Sequence, residues 1–86
     1  MPSWAYPKTI VREVLEDEFG CDVRDEEPGE REGEGVITIS RVGALFVSSL
    51  YVQQHEVLRP EIETVAAGLA LEVDQVFAAL DRANTY

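Results

Sequence analysis

The run Asp22–Gly35, DVRDEEPGEREGEG, constrains this chain most. It holds Asp22, Asp25, Glu26, Glu27, Glu30, Glu32 and Glu34, together with Pro28 and three glycines. Like charges repel at close range, and Pro and Gly resist both helix and strand. The reading for residues 25–34 is an exposed, mobile acidic loop inside a single domain spanning residues 1–86, since 86 residues allow one small core.

Outside the run, apolar spacing sets the expectations. Ile10, Val11, Val14, Leu15 and Phe19 recur at three and four residues, an amphipathic helix with Pro7 at its start and Gly20 as its stop. Cys21 and Val23 alternate with polar neighbours. Val36-Ile37-Thr38-Ile39 is the clearest strand signal. These two segments can pair as a hairpin across the acidic loop. In residues 42–58 two readings compete. Leu45-Phe46-Val47 breaks the alternation a strand requires, and the apolar pattern outruns a typical strand, so a long central helix is preferred, with Ser40 as its cap. Pro60 opens another helix and Val73 to about Asn84 forms the last. The expected fold is therefore α+β and mostly helical: helix, short β-hairpin, long central helix, and a C-terminal helix pair.

Residues 62–82 carry Val65, Ala66, Leu69, Leu71, Val73, Val76 and Leu80 where two short crossed helices need apolar side chains, with small Ala66 at their closest approach. This pattern resembles the helix-turn-helix, winged-helix-like, of many bacterial and archaeal regulators. Ala70 stands where that family usually has glycine. The resemblance implies that the last helix enters the major groove, which would present Glu72, Asp74, Phe77, Ala78 and Asp81 to the bases. Three of those are acidic. DNA-binding residues on this reading would be Arg41, Arg59, Gln75 and Arg82.

Charge argues against that use. The chain has 17 acids, 7 bases and a net charge of −10, and duplex binding rests largely on lysine and arginine displacing counterions from phosphate. Only a salt-adapted organism, whose medium screens repulsion to a few ångströms, would make such a regulator workable. The stronger expectation is a non-enzymatic protein-binding module. Its acids would meet a basic protein surface, such as that of a nucleic-acid-binding protein, and imitate nucleic-acid charge as inhibitors or adaptors of phage and plasmid type do. The expected contacts are Glu13, Glu16, Asp17, Asp25, Glu26, Glu27, Glu30 and Glu32.

Catalytic, cofactor and metal sites are not expected. His55 stands alone beside Glu56, and Ser48-Ser49 lack a nucleophile-elbow setting. Asp22 and its acidic neighbours would suppress a Cys21 thiolate. A single cysteine and a single histidine exclude the usual structural zinc sets, and no calcium-loop spacing occurs. The lone cysteine suits a reducing cytoplasm. No apolar window is long enough to cross a membrane, and MPSWAYPK shows no leader pattern. Self-association as a homodimer is expected if the apolar central segment needs cover.

Overall fold

The computed structural model describes residues 4–85. Along the chain run β1 (Ala5–Pro7), α1 (Lys8–Phe19), β2 (Asp22–Val23), β3 (Glu27–Pro28), β4 (Gly35–Ser40), β5 (Ser48–Val52), β6 (Glu56–Leu58), α2 (Arg59–Gly68) and α3 (Val73–Ala83). Three helices account for 40% of the described residues and strands in two sheets for 27%, so the fold is α+β but not mostly helical.

The correction lies in residues 42–58, which contain no helix. They form an exposed turn, then β5, a tight turn and β6. Within β5 the alternation is clean: Leu50 and Val52 are buried while Ser49 and Tyr51 face outward. Val42, Leu45, Phe46 and Val47 masked it. They are exposed apolar residues of the turn and not part of a helical face. Ser40 accordingly caps nothing and is the last residue of β4.

β4 is the centre of the larger sheet. β2 pairs with its C-terminal end, Val23 opposite Ile39, and β3 with its N-terminal end, Glu27 opposite Val36. β5 covers its other edge from Gly35↔Val52 to Ile39↔Ser48. Pairing between the two segments that flank the acidic run is thus present, because β-branched Ile37 and Ile39 supply the buried face. A second, two-stranded sheet joins β1 to β6, with Tyr6 opposite Val57. Its two strands come from distant parts of the chain, and neither is long enough to announce itself in sequence.

The helices close the core. α1 buries Val11, Val14 and Leu15, and Gly20 ends it in the left-handed conformation at φ 65°. α2 and α3 contribute Ile62, Val65, Ala66, Val76, Phe77, Ala79 and Leu80. Gly68 lets α2 come close to β5, since a side chain there would stand 2.8 Å from the Ser48 hydroxyl. No helix among the described residues is long and apolar enough to cross a membrane.

Between α2 and α3 the chain turns through Ala70 at φ 59°. The Leu71 N–H donates to the Ala66 carbonyl and the Ala70 N–H to the Ala67 carbonyl, which is the double cap of a Schellman end. Such an end favours glycine at the left-handed position, where an L-residue pays about 1–2 kcal/mol. Ala70→Gly is therefore expected to stabilise the fold. Glycine's greater freedom in the unfolded chain takes back part of the gain, leaving about 0.5–1 kcal/mol. In a domain of this size that is a rise of several degrees in melting temperature, readable by calorimetry. A fall in melting temperature would contradict the left-handed turn.

Candidate functional site

The outer face of α1 carries Glu13, Glu16 and Asp17, all exposed, at the three-and-four spacing that places them side by side. Lys8 and Arg12 lie one turn apart on the same helix and reach the acidic run. Lys8 Nζ donates to Glu26 Oε1 at 2.7 Å. Arg12 Nε donates to Glu16 Oε1 at 2.9 Å, and its Nη2 lies 3.6 Å from Asp25 Oδ1. Arg12 thus joins the helix acids to the acidic run, and the two form one continuous surface. Lys8 also explains Gly35, since a side chain there would run into the Glu26 carboxyl group that Lys8 holds.

Beyond Glu26 the run folds back on itself. Glu27–Pro28 pair with β4, Gly29 N–H donates to the Glu34 carbonyl, and Glu34 N–H donates to that of Arg31. The tip of the β5–β6 hairpin docks against this turn: His55 N–H donates to the Gly33 carbonyl at 2.9 Å, and the His55 carbonyl accepts from Lys8 N–H. Gln54 and His55 are both left-handed there, at φ 52° and 63°. Between them these groups frame an open depression of about 540 Å³ whose lining includes Lys8, Glu26, Glu30, Arg31, Glu32, Glu34 and His55. Four carboxylates face two cations, so the basin is an electronegative hollow suited to a lysine or arginine side chain.

Of the eight acids expected to bind a partner, Glu16, Asp25 and Glu26 are thus already matched by cations of α1. Glu13, Asp17, Glu27, Glu30 and Glu32 are without an ion pair among the described residues, and all five are exposed. Lys8 and Arg12 went unnoticed in the sequence as organisers of this surface; their i, i+4 spacing was the available signal.

The cations of the DNA-binding reading are dispersed. Arg41 Nη1 donates to the Leu69 carbonyl at 3.2 Å, at the C-terminal end of α2. Arg59, at the other end of that helix and about 15 Å away by helix rise, lies 3.8 Å over the Phe77 ring and donates to the Tyr6 hydroxyl. Arg82 pairs with Glu18 at 3.1 Å, beside exposed Gln75. Phe77, expected to face the groove, is buried, whereas Glu72, Asp74, Ala78 and Asp81 are exposed. The outer side of α3 therefore presents carboxylates around a single paired arginine.

Cys21 is buried, and burial pushes its thiol pKa up, with Arg41 opposing. The leading cause is thus desolvation and not the neighbouring acids. Among the described residues no group of three or more His, Cys, Asp or Glu is placed to hold a metal ion. Searches against protein-family models, curated proteins and solved structures each find no match to this chain, so the helix-turn-helix resemblance rests on residues 62–82 alone.

Proposed function

We propose that this protein is a non-enzymatic acidic binding module that seats a basic protein surface, of the kind that otherwise holds nucleic acid, as an inhibitor or adaptor of phage or plasmid type. The observation that carries this reading is the bridge from Glu16 through Arg12 to Asp25, which merges the α1 acids and the acidic run into one face. Glu13, Asp17, Glu27, Glu30 and Glu32 are the residues offered to the partner, and the hollow beside His55 takes one of its cationic side chains. A face of this sign steers a basic partner and rejects acidic ones. A cytoplasmic setting fits the lone buried thiol. The runner-up is a small helix-turn-helix regulator of a salt-adapted organism.

The test has two arms. In the first, the immobilised chain is offered an arginine-rich peptide taken from a DNA-binding protein, at 0.05 and 0.5 M KCl. Binding is expected at low salt and should weaken at least tenfold at high salt, because exposed charge pairs are screened over about 10 Å at 0.1 M. The quintuple variant Glu13→Gln, Asp17→Asn, Glu27→Gln, Glu30→Gln, Glu32→Gln should lose it. Equal binding by that variant sinks the assignment of the face. In the second arm, fluorescence anisotropy follows a mixed-sequence duplex at 0.1 M and about 2 M KCl. Duplex binding at either salt would replace this reading with the regulator.

A further inference from the structure

The β4–β5 hairpin differs from the acidic face in composition. From Gly35 to His55 the sequence has no Asp or Glu, although 17 of 86 residues are acidic. The turn between the strands leaves Val42 96%, Leu45 90%, Phe46 78% and Val47 58% exposed. Gly43, at φ 97° with nothing within 4 Å of a side-chain position, makes the bend. Tyr51, 54% exposed, continues the surface along the outward side of β5, at two-residue spacing from Val47 and Ser49. The hairpin's cation, Arg41, is turned back onto the Leu69 carbonyl. Asp22, across the ladder from Ser40, lines a depression with Arg41 and Val42, and Glu34 and Glu61 line another with Tyr51.

Backbone and the Tyr51 hydroxyl included, these five residues expose roughly 700 Å² at ordinary residue areas. The apolar part is comparable with the ~300–600 Å² of the largest apolar patch on a typical monomer. The whole approaches the ~800 Å² that each partner buries in a standard interface.

We propose that a second copy of this chain covers this face, forming an isologous dimer through the 42–47 turn and the outward side of β5. A basic partner gains no charge pairing from the 42–47 turn, which holds no Asp or Glu. An anionic membrane repels a chain of net charge −10, and the hairpin offers it no outward cation. A second copy brings the same apolar turn, which itself holds no carboxylate; the nearest acids are Asp22, beside Val42, and Glu34 and Glu61, beside Tyr51. Two-fold pairing places the same patch on both sides, as closed dimers do. Phe46, the largest side chain of the turn, is the anchor.

The salt dependence separates this contact from the binding of a basic partner. Two chains of net −10 repel, so added salt strengthens the dimer while it weakens an acid–base contact. Sedimentation equilibrium of the full chain at about 0.1 and 1 M KCl should show twice the chain mass, with tighter association at the higher salt. Phe46→Glu should raise the dissociation constant at least 30-fold, as loss of an interface anchor does, with circular dichroism and melting of the monomer unchanged. Leu45→Ser should weaken association in the same direction. A wild-type chain that stays monomeric at 500 µM at both salts overturns the proposal. So does a dimer that Phe46→Glu and Leu45→Ser leave intact. Flotation of a monomeric chain with phosphatidylcholine vesicles, abolished by Phe46→Glu, would give the face to lipid and overturn it equally.

Discussion

Tyr6→Ala is expected to cost about 3–5 kcal/mol of folding stability, the usual range for removing a large buried aromatic ring. Tyr6 is 0% exposed. It pairs β1 with β6 opposite Val57, and its ring lies 6.2 Å from that of Phe77. The hydroxyl donates to Asp81 Oδ1 at 2.6 Å and accepts from Arg59 Nη1 at 3.2 Å. One side chain thus ties the N-terminal strand to the last helix and to the start of α2. A domain this small has a total stability of about 5–10 kcal/mol, so the loss removes a large share of it. Urea unfolding should show a midpoint about 2–4 M lower at an unchanged slope of about 1–1.5 kcal/mol/M. Tyr6→Phe keeps the ring and removes only the hydroxyl that links Arg59 to Asp81, at a cost of about 1–2 kcal/mol. If Tyr6→Ala cost less than about 1 kcal/mol, β1 would not be docked as described.

The same residue sets an alkaline limit. Burial, then the hydrogen bond to Asp81, raises the Tyr6 pKa above the usual phenol value, with Arg59 opposing. The folded chain therefore holds this proton more tightly than the unfolded one. Its contribution is fully present below about pH 10 and is lost as pH rises through the raised folded value. Tyr6→Phe should flatten that part of the stability curve.

The second large effect is a pattern along residues 47–52. Leu50→Ala should cost about 2–5 kcal/mol, and Val52→Ala about 1–3, because both side chains lie in the core. Val47→Ala, Ser49→Ala and Tyr51→Ala should each fall within about 1 kcal/mol, since these residues face outward. A period of two is the signature of a strand. A helix over 42–58 would instead make Val47, Leu50 and Tyr51 costly together, because they share a helical face. Urea midpoints for the five variants separate the two arrangements without any structural measurement.

That contrast shows what kind of information was local. The start and stop of α1 were written in Pro7, the Val11–Val14–Leu15 spacing and Gly20, and each acts within one helical turn. The β2–β4 pairing was legible for a similar reason: the acidic run supplies a turn and Ile37 and Ile39 supply the buried face. Residues 42–58 were misread because hydrophobic pattern reports core only when apolar residues are buried. Val42, Leu45 and Phe46 are not, and they lent a helical period to a turn.

The candidate site divides along the same line. Its composition was visible, since like-charged residues in sequence stay near one another on any surface. Its organisation was not. Lys8 and Arg12 gather the acidic run onto α1 through contacts as far as 18 positions along the chain. Arg59 reaches Tyr6 across 53 positions, and it is spent on the interior instead of on a basic stripe.

By itself, the sequence determined α1, α2 and α3, beside a fourth helix over 42–58 that the fold does not contain, together with one strand pair, a strongly acidic composition and a last helix poor in cations. Those follow from propensity, capping and net charge, which act locally or on the chain as a whole. Only the tertiary structure decided that residues 48–52 and 56–58 are strands, that β1 closes on β6, which carboxylates are matched, and that the apolar turn lies outside the core. Each of these depends on which distant segment removes a side chain from water, and burial is a property of the packed chain.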